Sequence, residues 1–402
     1  MGAAEEDPGT TTELAPGEHL AVIRKAHGLT RSRLAGRAGI PLSLLSAIEA
    51  GNRVLTPSVA ASVGWAMGLG MSDVLGKATV AKNEARALTE LRAALRDYDL
   101  PETGAAAEGR FGDDLATARR YRRKFDVSRL LGVLPTLLRG ATAHAHTVNT
   151  ATAWSDLSEV YSTVYWLAAR YRWTDLAELA VTRQRWAVEQ RPTPMAAAVA
   201  ARDRAGTYLN FGDAGRGLDV VDRAIAEAQR DLSGTERDLA VCILNLRGMT
   251  LAGRLPDREE AGREADRHIR SAMAVADGLG SRDSTVLGLT AGPQNTVLHR
   301  LATYVDLGRP QEAMALVDML PAALDGLPAT RVAPTHVSMA RAQLDLGELD
   351  MALRNLAIAC DAAPQIACID PWFRETLRVV SSLHRRSNPE LVRLARLAGM
   401  SL

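Results

Sequence analysis

His144 and His146 stand two residues apart and are the nearest thing in the chain to a metal-ligand pair. On a helix, positions i and i+2 face apart, and no third ligand lies close in sequence. No glycine-rich loop matches a nucleotide-phosphate signature, and no Gly-x-Ser-x-Gly turn presents a nucleophile. The many carboxylates are scattered at salt-bridge spacing, and the eight histidines have no partner pattern. Cys242, Cys360 and Cys368 are odd in number and form no Cys-x-x-Cys pair, so they read as free thiols in a reducing compartment. The densest charge cluster, Arg119-Arg120-Tyr121-Arg122-Arg123-Lys124, reads as a solvated helix face, with an accessory phosphate contact as the alternative. These residues point to recognition rather than catalysis: no enzyme activity, cofactor or metal is expected.

The 402 residues leave room for two or more domains. Hydrophobic residues are 47% and charged residues 24%, an ordinary globular balance, while aromatics are only 4%. Ala, Leu and Arg dominate, and all three enter helices at little cost, so an all-α fold is expected. The net charge of +1 gives no global pull toward nucleic acid or membrane, so any DNA affinity must come from a local basic patch. No apolar run approaches the roughly 18 residues of a membrane helix. A cytoplasmic, nucleoid-associated protein without a membrane partner is expected.

Residues 1–16 are acidic and Thr-rich, lack a signal-peptide core, and are expected to be disordered. Residues 17–76 read as five short helices. Thr30 opens Arg31–Arg37, Gly39 breaks it, and Pro41 fits the first turn of a helix that stops at Gly51. Thr56-Pro57 starts the fourth helix, Pro57–Met67, and Ser72–Leu75 is the fifth. Residues 77–112 read as a linker helix over Val80–Arg96, carrying Leu88, Leu91 and Leu95 on one face, and then a mobile Gly- and Ala-rich loop. Helical patterning resumes over Asp113–His146.

The remainder, within 113–402, is repetitive. Tyr208-Leu209-Asn210-Phe211-Gly212, Tyr304-Val305-Asp306-Leu307-Gly308 and Gln343-Leu344-Asp345-Leu346-Gly347 are followed five residues on by Gly217, Ala313 and Ala352. Val221 and Ala224, Val317 and Leu320, and Leu356 and Ala359 then recur at shared offsets. This is a helix, a turn closed by Gly, and a second helix, with a small residue where the two touch. One pair cannot bury its apolar face alone, so pairs stack. Weaker copies fit Val160–Gln190, turning near Trp173, and Leu239–Asp277, turning near Gly253. A last pair is expected over Ile366–Ala398. Trp154, Trp166, Trp173 and Trp186, with Tyr161, Tyr165 and Tyr171, fall within one copy and read as packing or as an aromatic pocket.

Gly28-Leu29-Thr30, Leu34-Ala35, Ala38-Gly39-Ile40 and Ile48-Glu49-Ala50-Gly51 together resemble the XRE, or lambda-repressor-like, helix-turn-helix family. The repeats resemble tetratricopeptide repeats through Tyr208, Gly212, Tyr304, Gly308, Ala313, Gly347, Ala352 and Pro364. The layout is similar to actinobacterial regulators that join the two modules, and to peptide-sensing quorum regulators. Phe125–Leu138 is similar to the segment that precedes their repeats.

The resemblance implies that Pro41–Ala50 lies in the major groove of double-stranded operator DNA, with Leu42, Ser43, Ser46 and Ala47 toward the bases. It places Arg31 and Arg53 at phosphates, and Arg33 and Arg37 enlarge the positive face. Leu42 and Ala47 depart from the family, where long polar side chains are usual. They can touch only thymine methyls, so weak direct readout and a larger share for backbone and shape are expected. So weak a reading helix implies a homodimer, joined through the linker helix or the repeats. For the repeats, the resemblance places Arg202, Asn210, Arg247, Asn295, His299, Asp306 and Arg341 on a concave face. Asn suits a peptide backbone and Arg suits a carboxylate, so a peptide or small-molecule effector is implied. The other readings are repeats that carry dimerisation or bind a protein partner, with the small domain acting only as an interaction module.

Overall fold

A computed structural model of the chain describes residues 14–76, 82–101, 111–384 and 388–400. The expected disorder over 1–13 and the loop over 102–110 lie outside the described residues. Among the described residues the fold is all-α apart from one two-stranded hairpin.

Five helices form an N-terminal bundle: α1 (Pro16–Ala26), α2 (Arg31–Ala38), α3 (Leu42–Glu49), α4 (Pro57–Met67) and α5 (Met71–Leu75). Order begins before residue 17, because Pro16 is preset for a first helical turn and is itself buried. Thr30 Oγ1 accepts the Arg33 N–H at 3.2 Å to start α2, and Thr56 Oγ1 accepts the Val59 N–H at 3.4 Å to start α4. Gly39 and Gly68 end these helices at φ of 65° and 72°. Leu20, Leu34, Leu45, Ile48, Leu55, Val63 and Val74 are fully buried in one core. Each such side chain contributes about 1.5–3 kcal/mol over leaving it exposed.

The rest is an array of helices. It opens with α6 (Lys82–Arg96), α7 (Phe111–Arg123) and α8 (Val127–Val148). It continues with α9 (Ala151–Arg170), α10 (Thr174–Gln190), α11 (Pro194–Thr207), α12 (Ala214–Asp231), α13 (Gly234–Ala252) and α14 (Arg258–Ala276). The hairpin β1 (Ser284–Val286) and β2 (Leu289–Ala291) precedes α15 (Pro293–Asp306), α16 (Pro310–Met314) and α17 (Leu320–Leu324). Then come α18 (Ala329–Asp345), α19 (Leu349–Ala362), α20 (Ile366–Ile369), α21 (Pro371–Leu383) and α22 (Pro389–Leu397). Neighbours pair as α9 with α10, α11 with α12, α13 with α14, and α18 with α19. The first members also touch in series, α9 to α11, α13, α15 and α18, and so form an inner layer.

The repeated turn has the expected physics. Gly212, Gly308 and Gly347 lie at φ of 70°, 70° and 81°, where a side chain is strained. A Cβ on Gly217 would sit 2.5 Å from Leu251, and Ala313 and Ala352 are fully buried, so the small positions are contacts between helices.

Two expectations need correction, and two features go beyond them. The run Asp113–His146 is two helices, because Phe125 turns at φ 58° and Asp126 caps α8 through the Arg129 N–H. The second helix after Gly308 is broken into α16, a 3₁₀ turn at Val317–Met319 and α17, whose Pro321 has no N–H to continue the ladder. The last pair is three helices, with Pro371 and Pro389 each opening a new one. The hairpin was not expected; its two turn residues, Leu287 and Gly288, both have positive φ, the geometry that matches strand twist.

The array also closes on itself. Gln365 Oε1 accepts the Val127 N–H at 2.6 Å, and Arg172 Nη1 donates to the Ile369 carbonyl at 2.7 Å. One apolar core runs through α6–α10 and α18–α22, because Ile366, Phe373, Leu377 and Val380 need a partner surface and the early helices supply it. The expected open concave face is therefore narrowed into an interior that is only partly open to solvent.

The bundle sits on the edge of the array where the turns lie. The Leu55 N–H donates to Glu375 Oε1 at 3.1 Å, Ser382 Oγ donates to the Gly51 carbonyl at 3.1 Å, and Arg378 Nη2 reaches the Ile48 carbonyl at 3.4 Å. Arg172 also donates to the Gly76 carbonyl. Trp372 of α21 packs on the bundle core.

Candidate functional site

Two regions gather the polar side chains that the sequence singles out. The first is the outer side of α3. Leu42 and Ser43 are exposed, Ser46 and Ala47 half-buried, and Arg31, Arg33, Arg37 and Arg53 are exposed around them. α3 is held from below by a carboxylate that the spacing did not mark. Glu49, with no side-chain exposure, accepts Arg24 Nε at 2.6 Å and Nη2 at 2.8 Å, and Arg31 Nε at 2.7 Å. Burial pushes the Glu49 carboxyl up, but the hydrogen bonds from Arg24 and Arg31 outweigh it and hold it below its ordinary value. Arg24 Nη1 also donates to the Leu29 carbonyl at 2.6 Å. The triad locks the end of α3 to α1 and α2. It uses only Nε of Arg31, whose side chain is 51% exposed.

A cleft of about 590 Å³ separates this region from the array. Pro41, Leu44, Thr56 and Ser58 line it on one side, and Arg258, Glu259, Arg309 and Asp345 on the other. Arg53 faces Asp345, whose carboxyl is raised by burial and drawn back by Arg341 and Arg53.

The second region is this partly open interior. Arg202 Nη1 pairs with the fully buried Asp203 at 2.5 Å, which also accepts Ser162 Oγ at 2.6 Å. Arg341 pairs with Asp306 at 3.0 Å, and Arg254 with the same carboxylate. Asn295 Nδ2 donates to the Thr290 carbonyl at 2.8 Å, leaving its buried oxygen without a partner. Arg247 Nη2 reaches Tyr165 Oη at 3.5 Å, while its buried Nε has no partner. Burial, and then Arg331, Arg202 and Arg247, push the His299 imidazole well below its usual value. Arg202, Arg247, Asn295, His299, Asp306 and Arg341 thus meet inside. Asn210 does not: it lies in a 3₁₀ turn on the docking edge, where its carbonyl stands 2.7 Å from where a Cβ on Gly70 would be.

Nothing in the spacing marked Arg122, Arg170 and Arg331 as interior. Arg122 is 7% exposed and donates to Thr163 Oγ1 at 3.1 Å, so the basic run is not simply a solvated face. Arg119 leaves the same run to clamp the buried Glu159 with two bonds of 2.6 Å. The aromatic cluster is mostly packing, with Trp186 edge-on to Tyr98 at 4.7 Å and to Trp154 at 5.5 Å. Trp166 differs: guanidinium groups of Arg122 and Arg170 lie over it at 5.5 and 5.3 Å. His144 stacks on Phe111 and His146 packs on Trp154, which separates them. Among the described residues no three His, Cys, Asp or Glu side chains gather as a metal site, and no helix is long and apolar enough to cross a membrane.

No protein-family model matches the chain, and no curated protein matches it.

Proposed function

We propose that the chain is a DNA-binding transcriptional regulator of the XRE type, with a tetratricopeptide-like array that senses an effector and carries the dimer contact. The observation that carries this reading is α3: a short helix, pinned by Glu49, whose exposed turn bears Leu42 and Ser43 amid Arg31, Arg33, Arg37 and Arg53. This is a local basic patch on a chain of net charge +1, the arrangement that phosphate contacts require. Polar atoms available to base edges are few, so phosphates and DNA shape carry most of the affinity. The rim of the array, including Glu259 and Asp345, stands across the cleft from Pro41 and Thr56, so a duplex laid along α3 must displace the bundle or approach from the open side.

A mobility-shift assay against the DNA upstream of the protein's own gene tests this. Salt-sensitive, sequence-selective shifts that disappear in Arg31→Ala with Arg53→Ala are expected, with each lost phosphate contact lowering the salt slope by about 1. Binding blind to sequence, or none, removes the regulator reading and favours an adaptor whose small bundle only docks.

A further inference from the structure

Charge balance inside the closed array singles out one feature. Its carboxylates are already engaged: Glu159 by Arg119, Asp203 by Arg202, Asp306 by Arg254 and Arg341, and Asp283 by the backbone N–H groups of Gln294 and Asn295 at 2.9 and 2.8 Å. Asp370 accepts the N–H groups of Trp372 and Phe373 at the start of α21. Arg122, Arg170, Arg247 and Arg331 form no ion pair among the described residues, and the Nε atoms of Arg247 and Arg331 are buried with no partner at all. Each side chain comes from a different helix: α7, α9, α13 and α18.

Two cavities meet at Thr330 and Arg331. One, of about 260 Å³, is lined by Arg122, Trp166, Thr285 and Thr290, with Arg119 and Arg123 at its more exposed end. The other, of about 230 Å³, is lined by Arg170, Arg254, His299 and Arg341. Burial lowers Arg331 to about 9, with Arg202, Arg170 and Arg122 pushing the same way, and lowers Arg122 to about 10 against the pull of Asp203 and Glu159. Asp203, Glu159, Asp283 and Asp370 offset these cations only in part; grouping more cations than carboxylates away from bulk water is costly, and an anion would relieve it.

We propose that this interior binds a small, multiply charged oxyanion, with Arg331 as the common contact and Arg122 and Arg170 reaching it from the two cavities that meet there. The guanidinium fork suits oxygens of phosphate or carboxylate groups bidentately. Cavities of this size suit a compact metabolite. The inference gives a chemical class to the effector of the regulator reading and rests on that reading for its purpose, though not for the binding itself.

Calorimetric titration of the full chain with pyrophosphate and, separately, citrate tests it at fixed ionic strength, with sodium chloride as control. Saturable binding of one anion per chain is expected, and the tighter probe identifies phosphate or carboxylate chemistry. Arg331→Met with Arg122→Met is expected to weaken binding at least tenfold, whereas Arg230→Met, on the exposed face of α12, leaves it unchanged. A merely structural Arg331 would lower the melting temperature when replaced. Here Arg331→Met holds or raises the ligand-free melting temperature and removes the rise that the anion produces. Stabilisation that follows ionic strength alone, or heats unchanged by the double variant, overturns the proposal. DNA binding is followed by anisotropy on the same samples. Anion binding without any DNA binding sinks the regulator reading and spares the site; the reverse spares the reading and sinks the site.

Discussion

Replacing Glu375 with Ala is expected to release the N-terminal bundle from the array without unfolding either. Its carboxylate has no exposure and takes three hydrogen bonds: the Leu55 N–H at 3.1 Å, Arg378 Nε at 2.9 Å and Arg378 Nη2 at 2.6 Å. Removing it leaves the Leu55 N–H, on a fully buried residue, without an acceptor, at a cost of about 1–3 kcal/mol. It also strips the counter-ion from Arg378. Breaking a fully buried pair costs about 3–5 kcal/mol, but the Arg378 side chain is 13% exposed and can turn to water, so the lower part of that scale applies. Together the docked state loses about 2–4 kcal/mol, which raises the undocked population roughly 30- to 1,000-fold. Hydrogen exchange reads this directly, because the Leu55 amide is itself the donor. Faster exchange over residues 48–56 with unchanged protection in α13 and α14 is expected, as is tighter DNA binding if the cleft obstructs the duplex. Unchanged exchange at 48–56 refutes the docking argument, and equal loss of protection everywhere refutes the idea that the two parts separate.

Gly217→Ala places a Cβ 2.5 Å from Leu251 and 3.1 Å from the Ala205 carbonyl, so urea unfolding should show a loss of about 1–3 kcal/mol; Gly215→Ala, with open space around it, should be neutral or stabilising. His268 is fully buried, donates through Nδ1 to Asn245 Oδ1 at 2.8 Å, and accepts Arg267 Nη2 at Nε2, an arrangement that needs a neutral ring. Burial, then Arg267, lower it to about 4 against the pull of Asp222 and Glu264, so the unfolded chain binds the proton first. Stability should therefore fall as pH drops from 6.5 toward 4, by up to about 1.4 kcal/mol per pH unit, and level off below; a His268→Gln chain with the same pH slope would exclude this cause.

The bundle was legible in the sequence because its signals are local. Thr30 and Thr56 cap, Gly39 and Gly68 terminate, and Pro57 opens a helix, so four of its boundaries follow from neighbouring residues. The repeat turns were legible for the same reason. Closure of the array was not. It depends on Gln365 reaching Val127 and on α20–α22 covering α6–α9, contacts more than two hundred residues apart that no periodicity encodes. The interior arginines share that fate. Arg202 and Arg247 follow from repeat mapping, but Arg122 looked like part of a surface run until closure turned one face of α7 inward. Asn210 failed in the opposite sense, because its helix tightens into a 3₁₀ turn one step before Gly212 and faces the bundle instead.

The two regions are not independent. Asp306 holds Arg254 and Arg341 at the inner cavity and also lines the cleft beside the bundle. Trp372 lines the same inner cavity, lies 5.6 Å from the Arg341 guanidinium, and packs on the bundle core. An anion that draws Arg254 or Arg341 away from Asp306 therefore changes the charge facing the cleft and the support beneath Trp372 in one step. Coupling of this kind requires only that the anion bind docked and undocked states unequally, and linkage makes it reciprocal: DNA that favours one state must shift anion affinity by the same factor. Glu375→Ala isolates this connection. With the bundle already released, the anion should still bind, yet it should no longer change exchange at residues 48–56 or the affinity for DNA. If it changes both as in the parent chain, the signal does not travel through docking.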